Sequence, residues 1–194
     1  MLTSIEQWKR KKKIIIGVVC VFLMCLSLLG MYKNYMEKQN IEIEKTITKY
    51  YMAMDNKDMN ELNKLIYPEN EAYTQDFLMD VKTKMIVTSF ESIKLNTIYP
   101  ALIDGNIAIV GYQATTKSKA LSETASFQEI GTTVLRRKGD SWYVAKPIDL
   151  QDISADYLND FFDKYQEILR ENITKKEAEN VVKSQKEMFS LVNK

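Results

Sequence analysis

Asp149, Asp152, Asp156, Asp160 and Asp163 recur at three- and four-residue steps, so on a helix their carboxylates share one face. A hard cation needs carboxylates and carbonyls gathered from a tight loop with an internal glycine. That pattern is missing, and the spacing predicts a solvated acidic face with no metal bound. Early acids followed by Arg170 also suit the dipole of such a helix. The chain contains no histidine, which excludes Ser-His-Asp and Cys-His nucleophilic sites, imidazole general bases and imidazole metal sites. Its two cysteines, Cys20 and Cys25, lie in one apolar run, leaving the polar remainder without a disulfide framework or a thiolate cluster. No cofactor is expected.

That apolar run covers residues 14–32, nineteen consecutive uncharged positions, enough to cross a hydrocarbon layer about 30 Å thick as a helix. Lys9, Arg10, Lys11, Lys12 and Lys13 stand directly before it, whereas Lys33 and Lys38 follow it beside Glu37. This bias predicts an N-terminus in the cytoplasm and the bulk of the chain outside, with Trp8 suited to the headgroup interface. Nothing near residues 27–32 offers the small-x-small pair of a cleavage site, so the run reads as an uncleaved anchor. A lipoprotein needs a small residue before its cysteine, and Val19 and Met24 occupy those places. The first thirteen residues hold five basic side chains and one acidic, so of the net +1 the remainder carries −3. An ectodomain of that charge is not expected to bind nucleic acid directly.

The 194 residues allow one ordinary domain besides the anchor. Ile43, Ile47, Tyr50, Tyr51 and Met54 fall within one arc, predicting an amphipathic helix over 41–55 that can continue from the span. Asp58-x-x-Glu61 is a capping-box start for a short helix carrying Leu62, Leu65 and Ile66, closed before Pro68. Phe77, Leu78, Val81, Met85, Ile86 and Phe90 predict a third helix over 74–90. Beyond it, runs rich in Ile, Val, Thr and Tyr alternate with the turns Asp104-Gly105-Asn106 and Lys138-Gly139-Asp140. Strands are expected at 92–103, 106–117, 123–138 and 141–148. Their short connections require an antiparallel meander, which with the helices makes an α+β domain, three helices on a curved four-stranded sheet.

The helix ending in Tyr50-Tyr51-Met52-Ala53-Met54, the short helix at Asp58-Met59-Asn60-Glu61-Leu62 and the hairpin Arg136-Arg137-Lys138-Gly139-Asp140-Ser141-Trp142-Tyr143-Val144 together resemble the nuclear transport factor two-like superfamily. That superfamily includes ketosteroid isomerase-like and SnoaL-like domains, and the resemblance covers about residues 41–148. It implies a cone-shaped domain. A basic tail (1–13), a span (14–32), an outer cone (33–148) and an added C-terminal segment (149–194) also resemble in layout the VirB-eight-like and TcpC-like components of conjugative type IV secretion machines. Enzymatic relatives place a general base and an oxyanion donor inside the cone. The matching candidates are Tyr50, Tyr51, Tyr99 and Tyr112 on the wall and Asp55 or Asp104 at the mouth. However, Asp is expected in turns and Tyr on apolar faces, and SnoaL-like catalysts commonly rely on histidine, so no catalysis is expected.

Residues 149–194 lie beyond the cone. Ile153, Tyr157, Leu158, Phe161, Phe162, Tyr165, Ile168 and Leu169 form a wide stripe that must be buried, packing back on the domain's own sheet. A second helix opens with the capping box Thr174-x-x-Glu177. Its narrower stripe, Val181, Val182, Met188, Phe189 and Val192, is expected to dock on a second copy or on another envelope protein. The sequence thus predicts a non-catalytic, membrane-anchored subunit of an envelope assembly, oligomeric, most consistent with a conjugation or type IV secretion channel of a Gram-positive cell. The alternative is a tethered small-ligand-binding or isomerase-like cone.

Overall fold

The structure is a computed structural model and describes residues 4–68, 90–118 and 126–190. The chain divides into two compact units, Met1–Ile41 and Glu42–Lys194. Helix α1 (Ser4–Asn56) belongs to both. In the first unit its apolar stretch is long and apolar enough to cross a membrane. Large side chains there, among them Phe22 and Leu29, are about two-thirds exposed on the helix surface (62% and 64%).

The second unit begins with the amphipathic end of α1. Lys57 adopts a positive φ of 58°, and the Lys57 and Asp58 amides donate to the carbonyls of Met54 and Ala53, which closes the helix. Asp58 then caps α2 (Met59–Leu65), its carboxylate accepting from the Glu61 amide at 3.0 Å. The strands are β1 (Phe90–Ile98), β2 (Leu102–Asp104), β3 (Ile107–Ser118), β4 (Ser126–Lys138) and β5 (Ser141–Val144). All pair antiparallel in the order β1-β3-β4-β5, with β2 on β3 beyond the end of β1. The predicted strand over 92–103 is therefore one sheet edge in two pieces. Pro100, which has no N–H to give, sits in the gap between them, and the Tyr99 amide still reaches the Gly111 carbonyl. Both expected hairpin turns form, with Gly105 and Gly139 at φ near +60°. Residues 74–89 of the expected third helix and 123–125 of the third expected strand lie outside the described residues, and Phe90 opens β1 rather than closing a helix.

A short 3-10 turn (Pro147–Leu150) leads to α3 (Ala155–Arg170) and α4 (Lys175–Ser190). The sheet is covered on both faces. Alternation on β3 sends Ala108, Val110 and Tyr112 toward Ile43, Ile47 and Tyr51 of α1, and Ile107 and Ile109 toward Phe161, Phe162 and Leu169 of α3. Val182 and Phe189 of α4 are 1% and 4% exposed within this second cluster. The Phe189 ring centroid lies 5.4 Å from that of Phe162. Buried Gln185 accepts from the Thr132 hydroxyl of β4 at 2.8 Å. The expectation that α4 keeps Val182 and Phe189 for a partner is thereby corrected. Each gains about 1.5 to 3 kcal/mol by burial, and its own sheet is adjacent to receive it. Of that stripe, Val181 is half-buried, Met188 is exposed, and Val192 lies outside the described residues.

Candidate functional site

The phenols and carboxylates singled out from the sequence divide between the two faces of the sheet. Tyr51 and Tyr112 meet on the α1 side, with ring centroids 4.7 Å apart, and Tyr50 packs edge-on to Tyr51 at 5.7 Å. The Tyr112 hydroxyl donates to Glu129 Oε1 at 3.2 Å. Tyr112 lies across β4 opposite Gly131, where an added Cβ would come within 2.4 Å of the phenol oxygen. Only glycine leaves room for that ring. Burial raises the pKa of Tyr50, Tyr51 and Tyr112, with the Glu129 carboxylate adding to the rise at Tyr112. These phenols stay neutral at physiological pH, and that of Tyr112 is a hydrogen-bond donor to Glu129.

Asp55 stands at the end of α1, and its Oδ1 accepts the backbone N–H of Ile93 at 2.8 Å, fastening β1 to the helix. Between α1 and β1 an open groove of about 460 Å³ runs past Glu44, Met52, Asp55, Lys94 and Leu95. Tyr99 and Asp104 are found elsewhere. Tyr99 is buried in the cluster formed with α3 and α4. Burial and then the Glu177 carboxylate raise its pKa. Asp104, in β2, accepts from the Tyr157 hydroxyl of α3, and Tyr157 is pushed up to about 12 by burial first and by this carboxylate second. The structure therefore brings Tyr50, Tyr51, Tyr112 and Asp55 to one side and leaves Tyr99 and Asp104 on the other.

Asp149, Asp152 and Asp163 of the acidic row meet structural partners. Arg136 grips both oxygens of Asp152, at 2.7 and 2.6 Å, and also donates to the Asp149 carbonyl. The Asp149 carboxylate accepts the Lys146 amide at 2.7 Å, and Asp163 pairs with Lys186 of α4 at 2.7 Å. Among the described residues no cluster of acids, histidines or cysteines is grouped to hold a metal. Glu129 and Gly131 were not singled out from the sequence. Gly131 carried a signal, a glycine inside a strand opposite an aromatic. Tyr165 was legible only as a core residue, yet its hydroxyl accepts the Gly111 N–H and donates to the Pro100 carbonyl at 3.2 Å.

No family model and no curated protein sequence matches the chain. Among solved structures, it is similar to a protein of the nuclear transport factor 2-like family from Streptomyces avermitilis whose name is that of a dehydratase. That match has 14% identity and a TM-score of 0.41, covering 56% of this chain and 94% of that one. A nuclear transport factor 2-like superfamily protein of Salmonella enterica serovar Typhimurium is similar at 15% identity and a TM-score of 0.41, over 56% of this chain and 87% of that one. A protein named for scytalone dehydratase, from Novosphingobium aromaticivorans, is similar at 18% and 0.43, over 59% and 83%. Likenesses this remote say nothing of substrate or activity, and the α+β class rests on the chain's own strand order.

Proposed function

We infer that the chain is a single-pass membrane protein, N-terminus inside, whose outer cone domain is a non-catalytic subunit of an envelope assembly. The observation that carries the reading is the pairing of an uncovered apolar stretch in α1 with a domain in which Asp55 and Tyr112 are engaged in holding the fold. Phe22, Leu23 and Leu29 are too apolar to be left in water, and residues 14–32 match a bilayer in length. Tyr32 closes the run and Tyr35 follows it at the outer end as Trp8 precedes it at the inner, an aromatic residue at each interface. The basic tail, one span and outer domain follow the layout of conjugative type IV secretion components. A channel subunit that lends surface rather than chemistry needs no converging acid and base. Deleting the gene in a conjugative donor should abolish transfer, and complementation with Asp55→Asn or Tyr112→Phe should restore it. Unimpaired transfer in the deletion strain would remove the secretion role.

The groove beside Asp55 favours a second reading, a cone that binds a small ligand. On that reading Met52→Trp, which narrows the groove without touching the core, abolishes the biological activity of a folded protein. On the assembly reading it leaves the activity intact.

A further inference from the structure

We propose that residues 9–13 form a binding site for anionic phospholipid headgroups, a role additional to setting topology. Helix α1 begins at Ser4, so this basic run is itself helical and passes without a break into the apolar stretch. Successive helical residues turn by about 100°, so five in a row circle the axis more than once. Lys9, Arg10, Lys11, Lys12 and Lys13 thus occupy a ring of positions rather than a stripe. If a neighbouring subunit covers one side of the helix, cationic positions remain toward lipid on the others. The ring directly adjoins residue 14, which is headgroup depth when 14–32 fills the hydrocarbon. The opposite end of the stretch has only Lys33 and Lys38 against Glu37. A dense juxtamembrane cluster of cations concentrates anionic lipid, whereas a sparse one does not. The ligand chemistry is a phosphate monoanion on a diacylglycerol, and its depth selects the lipid over free phosphate.

The proposal rests on the anchor reading, and its test separates the two. The full chain is reconstituted in vesicles of phosphatidylcholine and phosphatidylglycerol in equal parts and extracted gently, and the retained lipid is weighed by mass spectrometry. Phosphatidylglycerol should be enriched at least about threefold over the vesicle ratio. The enrichment should disappear when Lys9→Gln, Arg10→Gln, Lys11→Gln, Lys12→Gln and Lys13→Gln are combined. It should survive Lys33→Gln with Lys38→Gln, and should survive added inorganic phosphate. Retained lipid at the vesicle ratio, or enrichment that persists in the five-glutamine variant, overturns the lipid site. Loss of the enrichment to inorganic phosphate would reassign the run to a soluble anion. A chain stripped from vesicles by alkaline carbonate would overturn the anchor itself, whereas a carbonate-resistant chain without lipid preference overturns the lipid site alone.

Discussion

Gly111 sits where three side chains converge. A Cβ there would stand 2.8 Å from Leu169 Cδ2, 2.9 Å from the Tyr165 hydroxyl and 3.0 Å from the Tyr99 ring. Gly111→Ala must push α3 off β3 or break the bond from the Gly111 amide to Tyr165, and should cost about 1 to 3 kcal/mol in a denaturant titration. Asp55→Asn is milder. The amide oxygen still accepts the Ile93 N–H, but the bond loses its charge, and about 1 kcal/mol should go while biological activity stays. Acid acts on Asp152 and Glu177. Arg136 holds the pKa of Asp152 below its ordinary 3.8, and Thr174 holds that of Glu177 below 4.5. A folded pKa below the unfolded one contributes stability that is present above the unfolded value and lost as pH falls through the folded one. Melting temperature should therefore decline as pH drops below about 4, and Asp152→Asn should flatten part of that decline. An acid limb unchanged by the substitution would mean that the Arg136 pair contributes nothing.

Among the elements, α4 packs on its own sheet where the sequence expectation gave it to a partner, and the expected 141–148 strand ends at Val144. The start of α4 was legible, because Thr174 and Glu177 exchange hydrogen bonds in a capping box. The α2 cap, both hairpin turns and the meander were legible for the same reason, that local chemistry fixes local geometry. A narrow amphipathic stripe says that a face is buried but not against what. Gln185 compounds the ambiguity, since a glutamine reads as surface until the Thr132 hydroxyl is found opposite it. The tyrosine cluster was half legible. Apolar periodicity placed Tyr51 inward, but Glu129 meets Tyr112 through cross-strand pairing across residues that no local motif links. Cutting the chain after Thr174 removes Val182 and Phe189 and uncovers Phe162. The truncated chain should lose its cooperative thermal transition, and Phe189→Ala alone should cost about 3 to 5 kcal/mol. A truncated chain that melts as the parent does would return α4 to the role of a partner surface.

For the whole molecule, the proposed anchor accounts for an apolar stretch of α1 whose large side chains are exposed, while the second unit buries its own apolar side chains on both faces of its sheet. On the proposed topology, the five basic residues directly before residue 14 keep the N-terminus inside. Cys20 and Cys25 are the only cysteines, so replacing both by serine gives a background in which a new thiol reports its own compartment. Met188 is 51% exposed on α4, and Met188→Cys puts a thiol in water without entering the core. A membrane-impermeant maleimide added to intact cells should label that thiol fully. Labelling that appears only after the cells are broken open would put the domain in the cytoplasm and contradict the account.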